Sequence, residues 1–297
     1  MFKRLTAIII SIIIFSASFF AADYSIKSDY IYKNLSYGSH ERQVLDLYLP
    51  TDCDGEVGLI LYIHGGGWIA GDKDVYYRDL KRMANEYGYV AAAINYRYLS
   101  EDVDMFDIAD DIQAAVLKIK KTAANQNIAV NKMLLTGGSA GAHLSMFYAY
   151  SRADSSPIRP AAVVSYCGPT DFTDKGYFNN CDLGDPATVS QLFSYACGKS
   201  FTYPDTDGVI DALKAVSPLF YVNETTVPTV INHGEVDTVV PYSNATAIIE
   251  KFEEFGVEYE FNSYPDSGHG LDNNETNQKI ADELFCKYIT LYLGEER

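Results

Sequence analysis

Residues 133–143 read Met-Leu-Leu-Thr-Gly-Gly-Ser-Ala-Gly-Ala-His. Met133 to Thr136 have strand character, Gly137-Gly-Ser-Ala-Gly141 makes a tight turn, and a helical pattern of small and apolar residues runs from Ala142 to Tyr150. Ser139 therefore stands at the apex of a strand–turn–helix junction, where Gly-x-Ser-x-Gly spacing specifies a nucleophile elbow. Such an apex needs a strained backbone so that the hydroxyl clears the sheet, and its flanks approach so closely that Gly137 and Gly141 cannot carry a Cβ. The helix that follows aims its N-terminal amides at the place where negative charge develops. The chemistry implied is attack by a serine hydroxyl. A phosphate-cradling loop is disfavoured, because no Lys-Ser/Thr follows and Gly-x-Gly-x-x-Gly spacing is absent. Position 142 is Ala, which excludes a Ser-x-x-Lys nucleophile.

A serine hydroxyl is a poor nucleophile until a base takes its proton, and the base works best when a carboxylate holds its tautomer. Three histidines lie downstream of Ser139. His143 rides one turn along the elbow helix and points away from the apex, as a packing or surface residue. His233 ends an apolar strand and is expected to make turn hydrogen bonds. His269, in Asp266-Ser-Gly-His-Gly270, sits on a glycine-flanked loop after the last strand, where a base can reach inward. Asp237 lies at the carboxyl end of the penultimate strand and is the favoured acid; Glu235 and Asp266 are its competitors. An oxyanion hole needs fixed backbone amides. Ala140 N–H is one candidate, and Gly66 and Gly67 of His64-Gly-Gly-Gly-Trp68 are the others.

These four stretches, His64–Trp68, Gly137–Gly141, His233-Gly-Glu-Val-Asp-Thr-Val-Val-Pro241 and Ser267-Gly-His-Gly270, resemble the α/β-hydrolase esterase/lipase superfamily. The chain is similar to its carboxylesterase branch, with bacterial feruloyl and acetyl-xylan esterases and hormone-sensitive-lipase-like enzymes, over roughly residues 40–293. The resemblance implies Ser139 as nucleophile, His269 as general base and then acid, Asp237 as its orienter, and oxyanion amides from Gly66, Gly67 and Ala140. It also places Trp68 at the substrate. Neither a cofactor nor a metal is implied.

The elements that must position these residues alternate. Tyr30–Tyr37 and Gln43–Leu49 read as an antiparallel pair. Val57–Ile63, Tyr89–Asn95, Ala161–Tyr166, Pro228–Asn232 and Glu258–Tyr264 read as further strands, and helices are expected near Val75–Tyr87, Phe106–Ala124, Tyr242–Phe255 and Asn274–Leu293. The expected fold is α/β: a mostly parallel central sheet with helices on both faces. Residues 23–297 form one such domain, interrupted at about 171–217 by a small insertion over the active site, with no clear strand. Aromatic residues there, among them Phe172, Tyr177, Phe178, Phe193, Tyr195, Phe201 and Tyr203, either wall a sugar or phenolic acyl group or pack the insertion onto the domain.

Composition bounds the function. A net charge of −17 spread over 297 residues repels nucleic acid and anionic membranes. Lys3 and Arg4, an uncharged run from Leu5 to Ala22 and small residues near its end predict a signal peptide over 1–22, with a retained anchor as the alternative. Export follows, without stable membrane insertion after cleavage. Of five cysteines, Cys181 and Cys197 are the expected pair. The leading reading is a secreted serine carboxylesterase acting on short-chain acyl or carbohydrate-linked esters of acetyl or feruloyl type. The alternatives are a kynurenine-formamidase-like amide hydrolase and a noncatalytic binding protein on a hydrolase scaffold.

Overall fold

The computed structural model describes residues 30–51, 55–179 and 182–294. Ten strands lie along it: β1 (Ile31–Ser36), β2 (Val44–Tyr48), β3 (Gly55–Glu56), β4 (Leu59–Ile63), β5 (Val90–Ile94), β6 (Ile128–Ala129), β7 (Lys132–Gly138), β8 (Arg159–Tyr166), β9 (Thr229–Gly234) and β10 (Tyr259–Tyr264). The helices are α1 (Tyr77–Asn85), α2 (Met105–Ala124), α3 (Ala140–Ser151), α4 (Pro186–Cys197), α5 (Ile210–Ala215), α6 (Ser243–Phe255) and α7 (Glu275–Leu293). Eight strands form one sheet in the order β1-β2-β5-β4-β7-β8-β9-β10, while β3 and β6 make a separate parallel pair. The β1–β2 and β2–β5 pairings are antiparallel, and every later pairing in the large sheet is parallel.

Side-chain alternation explains why helices cover both faces. Leu59, Leu61 and Ile63 of β4 join one core with Ile108, Ile112 and Ile119 of α2, Leu144 and Phe147 of α3, and Ile248 and Phe252 of α6. Ile60 and Tyr62 point the other way, into a second core with Leu80 and Met83 of α1 and Tyr288 and Ile289 of α7. A strand buried on both faces must read as a continuous apolar run, as β4 does. Helix α2 starts sharply because Asp104 accepts from the Phe106 and Asp107 amides while the Asp107 carboxylate accepts from Asp104 N–H.

Residues 171–217 are more ordered than the sequence pattern suggested, since they contain α4 and α5. Asp185 caps α4 through the Thr188 amide, Pro186 opens it and Gly198 ends it in the left-handed region. The aromatic residues of this segment pack on one another. Phe172 stacks on Phe193 at 4.6 Å and Phe178 on Tyr203 at 4.3 Å, and Tyr177 meets Phe193 at 5.1 Å. Phe172, Tyr177, Phe178 and Phe193 are buried, so for these four the packing alternative holds.

The expected signal peptide lies outside the described residues, as do Cys53 and Cys181. Cys197, the described half of the expected pair, has its Sγ 3.6 Å from the Lys199 carbonyl oxygen. Among the described residues no helix is long and apolar enough to cross a membrane.

Candidate active site

Ser139 has φ 55° and ψ −122°, a backbone region that non-glycine residues rarely occupy, and this turns its side chain out of the β7–α3 junction. Its own N–H donates to the Tyr166 carbonyl at 2.8 Å. A Cβ added at Gly137 or at Gly141 would run into the Ile63 carbonyl at the end of β4. The two glycines of the motif are thus imposed by the neighbouring strand.

Asp237 and His269 arrive from the turns that follow β9 and β10. Asp237 Oδ2 is 2.7 Å from His269 Nδ1, which donates to it. Oδ1 accepts from the amides of Val239 at 2.8 Å and Val240 at 2.9 Å. Burial pushes the Asp237 carboxyl up, but the hydrogen bond and charge of His269, the charge of His233 and the Val240 amide together hold it below the usual carboxylate range. His269 Nε2 is buried and has no hydrogen-bond partner among the described residues. With Nδ1 carrying the proton, Nε2 is a lone pair open to a hydroxyl donor. Glu235 and Asp266 are exposed, and the Glu235 carboxylate accepts from Ser263 Oγ at 2.6 Å.

His233 makes the expected turn contact, with Nε2 donating to the Val240 carbonyl at 3.1 Å, and the same nitrogen lies 3.4 Å from Asp237 Oδ2. Cys167, not singled out by sequence, is buried just past β8 with φ 51°. The donor atoms of Cys167, His233 and Asp237 lie within 4.8 Å of one another. Yet His233 Nε2 faces a carbonyl oxygen and so carries a proton, and burial pushes the Cys167 thiol well up. Protonated groups crowding a carboxylate are hydrogen-bond donors to it rather than a metal-binding set.

Beside the elbow runs the loop His64–Gly71. Gly66 has φ 106° and Gly67 φ 58°. None of the described hydrogen bonds uses the Gly66 or Gly67 N–H, and Ala140, as the first residue of α3, has no intrahelical acceptor for its N–H. Trp68 departs from expectation. It is only 2% exposed, donates from Nε1 to His143 Nδ1 at 3.2 Å and meets Phe172 edge-on at 5.4 Å. The indole is therefore a core residue and not a substrate contact. His143 is fully buried, its Nε2 donating to the Val216 carbonyl at 2.9 Å.

Burial lowers both His64 and His143 to about 4. An unfolded chain titrates its histidines near 6.5. Between those values the unfolded state binds more protons, so stability drops as pH falls through that window, by about 1.4 kcal/mol per pH unit per histidine. Urea midpoints are expected to fall from pH 7 to pH 5, and His143→Gln should make that fall shallower. An unchanged slope in the variant would contradict the assignment.

Residues 45–252 match the BD-FAE family. The chain belongs to that family. It is 26% identical over 281 residues to the probable carboxylic ester hydrolase LipM of Mycobacterium tuberculosis, an alignment covering 89% of this chain and 63% of LipM, less than two thirds of that relative. A truncated carbohydrate esterase from gut microbiota superposes with a TM-score of 0.67 at 25% identity, covering 88% of this chain and 96% of the other. Esterase B from Lactobacillus rhamnosus, at 19% identity and TM-score 0.71, covers 98% and 92% and shares the fold. The α/β-hydrolase fold implied by the sequence is the one observed.

Proposed function

We propose that this family member is an exported serine carboxylesterase hydrolysing short-chain acyl or carbohydrate-linked esters, of acetyl or feruloyl type. The observation that carries this reading is the 2.7 Å contact between Asp237 and His269, which leaves a buried, unpartnered Nε2 for the elbow serine. His269 Nε2 takes the Ser139 proton as Oγ attacks the ester carbonyl, and the carbonyl π electrons move onto oxygen. The N–H groups of Ala140 and of Gly66 or Gly67 stabilise that oxyanion. Collapse expels the alcohol, which takes the proton from His269, and leaves an acyl-serine. Water, deprotonated by the same nitrogen, then releases the acid and restores Ser139. The chain's own residues complete this cycle without a cofactor. The named carbohydrate esterase among the structural neighbours supports a sugar-linked ester, and Leu5–Ala22 supports export.

The test is turnover of p-nitrophenyl acetate, butyrate and octanoate, methyl ferulate and acetylated xylan by protein lacking residues 1–22. Hydrolysis that declines with acyl length and includes ferulate or xylan is expected. Turnover of an N-formyl aromatic amide but of no ester would replace this reading with the amide-hydrolase one. No turnover of any substrate by folded protein would favour the noncatalytic scaffold.

Gly66 and Gly67 should respond differently to alanine. A Cβ at Gly66 would strike the Ala70 carbonyl and force the loop to move, whereas one at Gly67 enters open space. Gly66→Ala is expected to lower kcat by about 10²-fold, the scale of one lost oxyanion donor. Gly67→Ala should cost no more than about 10-fold, because strain in the left-handed region is about 1–2 kcal/mol. Equal losses in the two would show that the collision at Gly66 does not displace the loop's oxyanion donor.

A further inference from the structure

Hydrogen bonds link the Arg42 guanidinium to the His64 ring and the ring to the peptide unit that carries the Gly66 N–H. His64 is buried, with Nδ1 2.7 Å from the Gly65 carbonyl oxygen. A carbonyl only accepts, so Nδ1 carries the proton and Nε2 is the lone-pair nitrogen. Nε2 accepts from Arg42 Nη2 at 3.1 Å. The Gly65 carbonyl and the Gly66 N–H belong to one planar peptide unit, so fixing the first fixes the second.

Arg42 comes from the turn joining β1 and β2, ahead of the stretch that matches the family. Its guanidinium reaches more than His64. Nη2 also donates to the Gly71 carbonyl at 3.0 Å, and Nε donates to the Tyr96 carbonyl at 2.9 Å. Its carbon lies 3.8 Å from the centre of the Tyr98 ring. The Tyr96 hydroxyl donates to the His64 carbonyl at 2.9 Å, and the Tyr98 hydroxyl donates to the Gly71 carbonyl at 2.6 Å. One planar fork therefore holds both ends of the 64–71 loop and the strand end beside it, which a single ammonium cannot do.

We propose that Arg42 is a positioning residue for the oxyanion loop. Through the His64 ring it sets the direction of the Gly66 amide, and through the Gly71 carbonyl it anchors the far end of the loop. This assignment rests on the ester-hydrolase reading above. An amide that meets charge only in the transition state affects kcat and leaves KM nearly alone.

A cavity of about 510 Å³, lined by Arg42, Asp72, Asn95 and Tyr98 among others, opens beside the guanidinium. A free guanidinium ion can therefore reach the space that Arg42→Ala vacates. The experiment measures kcat and KM for p-nitrophenyl acetate in wild type, Arg42→Ala and Arg42→Lys, with and without millimolar guanidinium. In Arg42→Ala, kcat is expected to fall by about 10²-fold with KM within about 3-fold, and guanidinium should restore about 10-fold of it without affecting wild type. Arg42→Lys keeps the charge and the stem, so it decides the matter if Arg42→Ala does not fold. It should lose about 10-fold in kcat at unchanged KM. Wild-type kcat in either folded variant would overturn the proposal, and so would a loss that tracks only the fraction of folded protein. A wild-type protein that hydrolyses no ester would instead remove the reading on which the proposal rests.

Discussion

Ser139→Ala should lower kcat for p-nitrophenyl acetate by about 10⁶-fold, as expected when the nucleophile of an interdependent triad is removed. The fold should survive. The positive φ at this position costs alanine no more than it costs serine, and the Ser139 N–H bond to the Tyr166 carbonyl comes from the backbone. Circular dichroism and the urea midpoint should therefore match wild type while turnover disappears. Retention of more than about 1% of wild-type kcat would mean that another group attacks the ester.

Asp237→Asn is expected to cost about 10⁴-fold in kcat, and the geometry specifies why. Oδ1 of Asp237 accepts from two backbone amides, Val239 and Val240. In the variant those amides will hold the asparagine oxygen. Its NH₂ must then point at His269 Nδ1, where a donor now faces a donor. The ring resolves the clash by moving its proton to Nε2, which leaves no lone pair toward Ser139. Because the change is isosteric and the amides still find an oxygen, the loss should fall on kcat with folding little altered. An Asp237→Asn enzyme within 10-fold of wild type would show that His269 does not act through this carboxylate, since about 10⁴-fold is expected when it does.

The sequence reading and the structure agree most closely where local rules dominate. The β4 run is apolar throughout because both its faces are buried, and α2 carries a capping residue and a basic last turn. The elbow glycines are legible for a similar reason, since a steric limit leaves only one residue type. The acid was legible as a strand-end position. What singles out Asp237 over Glu235 in three dimensions is the turn itself, in which Asp237 N–H bonds to the Gly234 carbonyl and turns the carboxylate inward.

Sequence failed where a residue's role is fixed by a partner far along the chain. Trp68 looks like a substrate contact beside the glycines, yet its indole N–H is satisfied by His143, 75 positions on. Arg42 carries no motif at all, and the groups it bonds, the His64 ring and the Gly71 and Tyr96 carbonyls, lie in the segments that follow β4 and β5. Helix α4 was missed, although Asp185, Pro186 and Gly198 stand at its ends as start and stop signals. Its buried apolar residues, Val189, Leu192, Phe193, Ala196 and Cys197, do keep helical spacing, but they lie in a stretch whose Gly, Pro and Asp residues read as a break.

The central claim is that Ser139 is a nucleophile activated through His269. It is tested most directly by treating the protein with a p-nitrophenyl alkylphosphonate and locating the adduct by intact mass and peptide mapping. One phosphonyl group per chain on Ser139, with matching loss of esterase activity and no adduct in Ser139→Ala, is the result predicted. Full activity after exposure to the reagent, or inactivation with the label on any other residue, would contradict it.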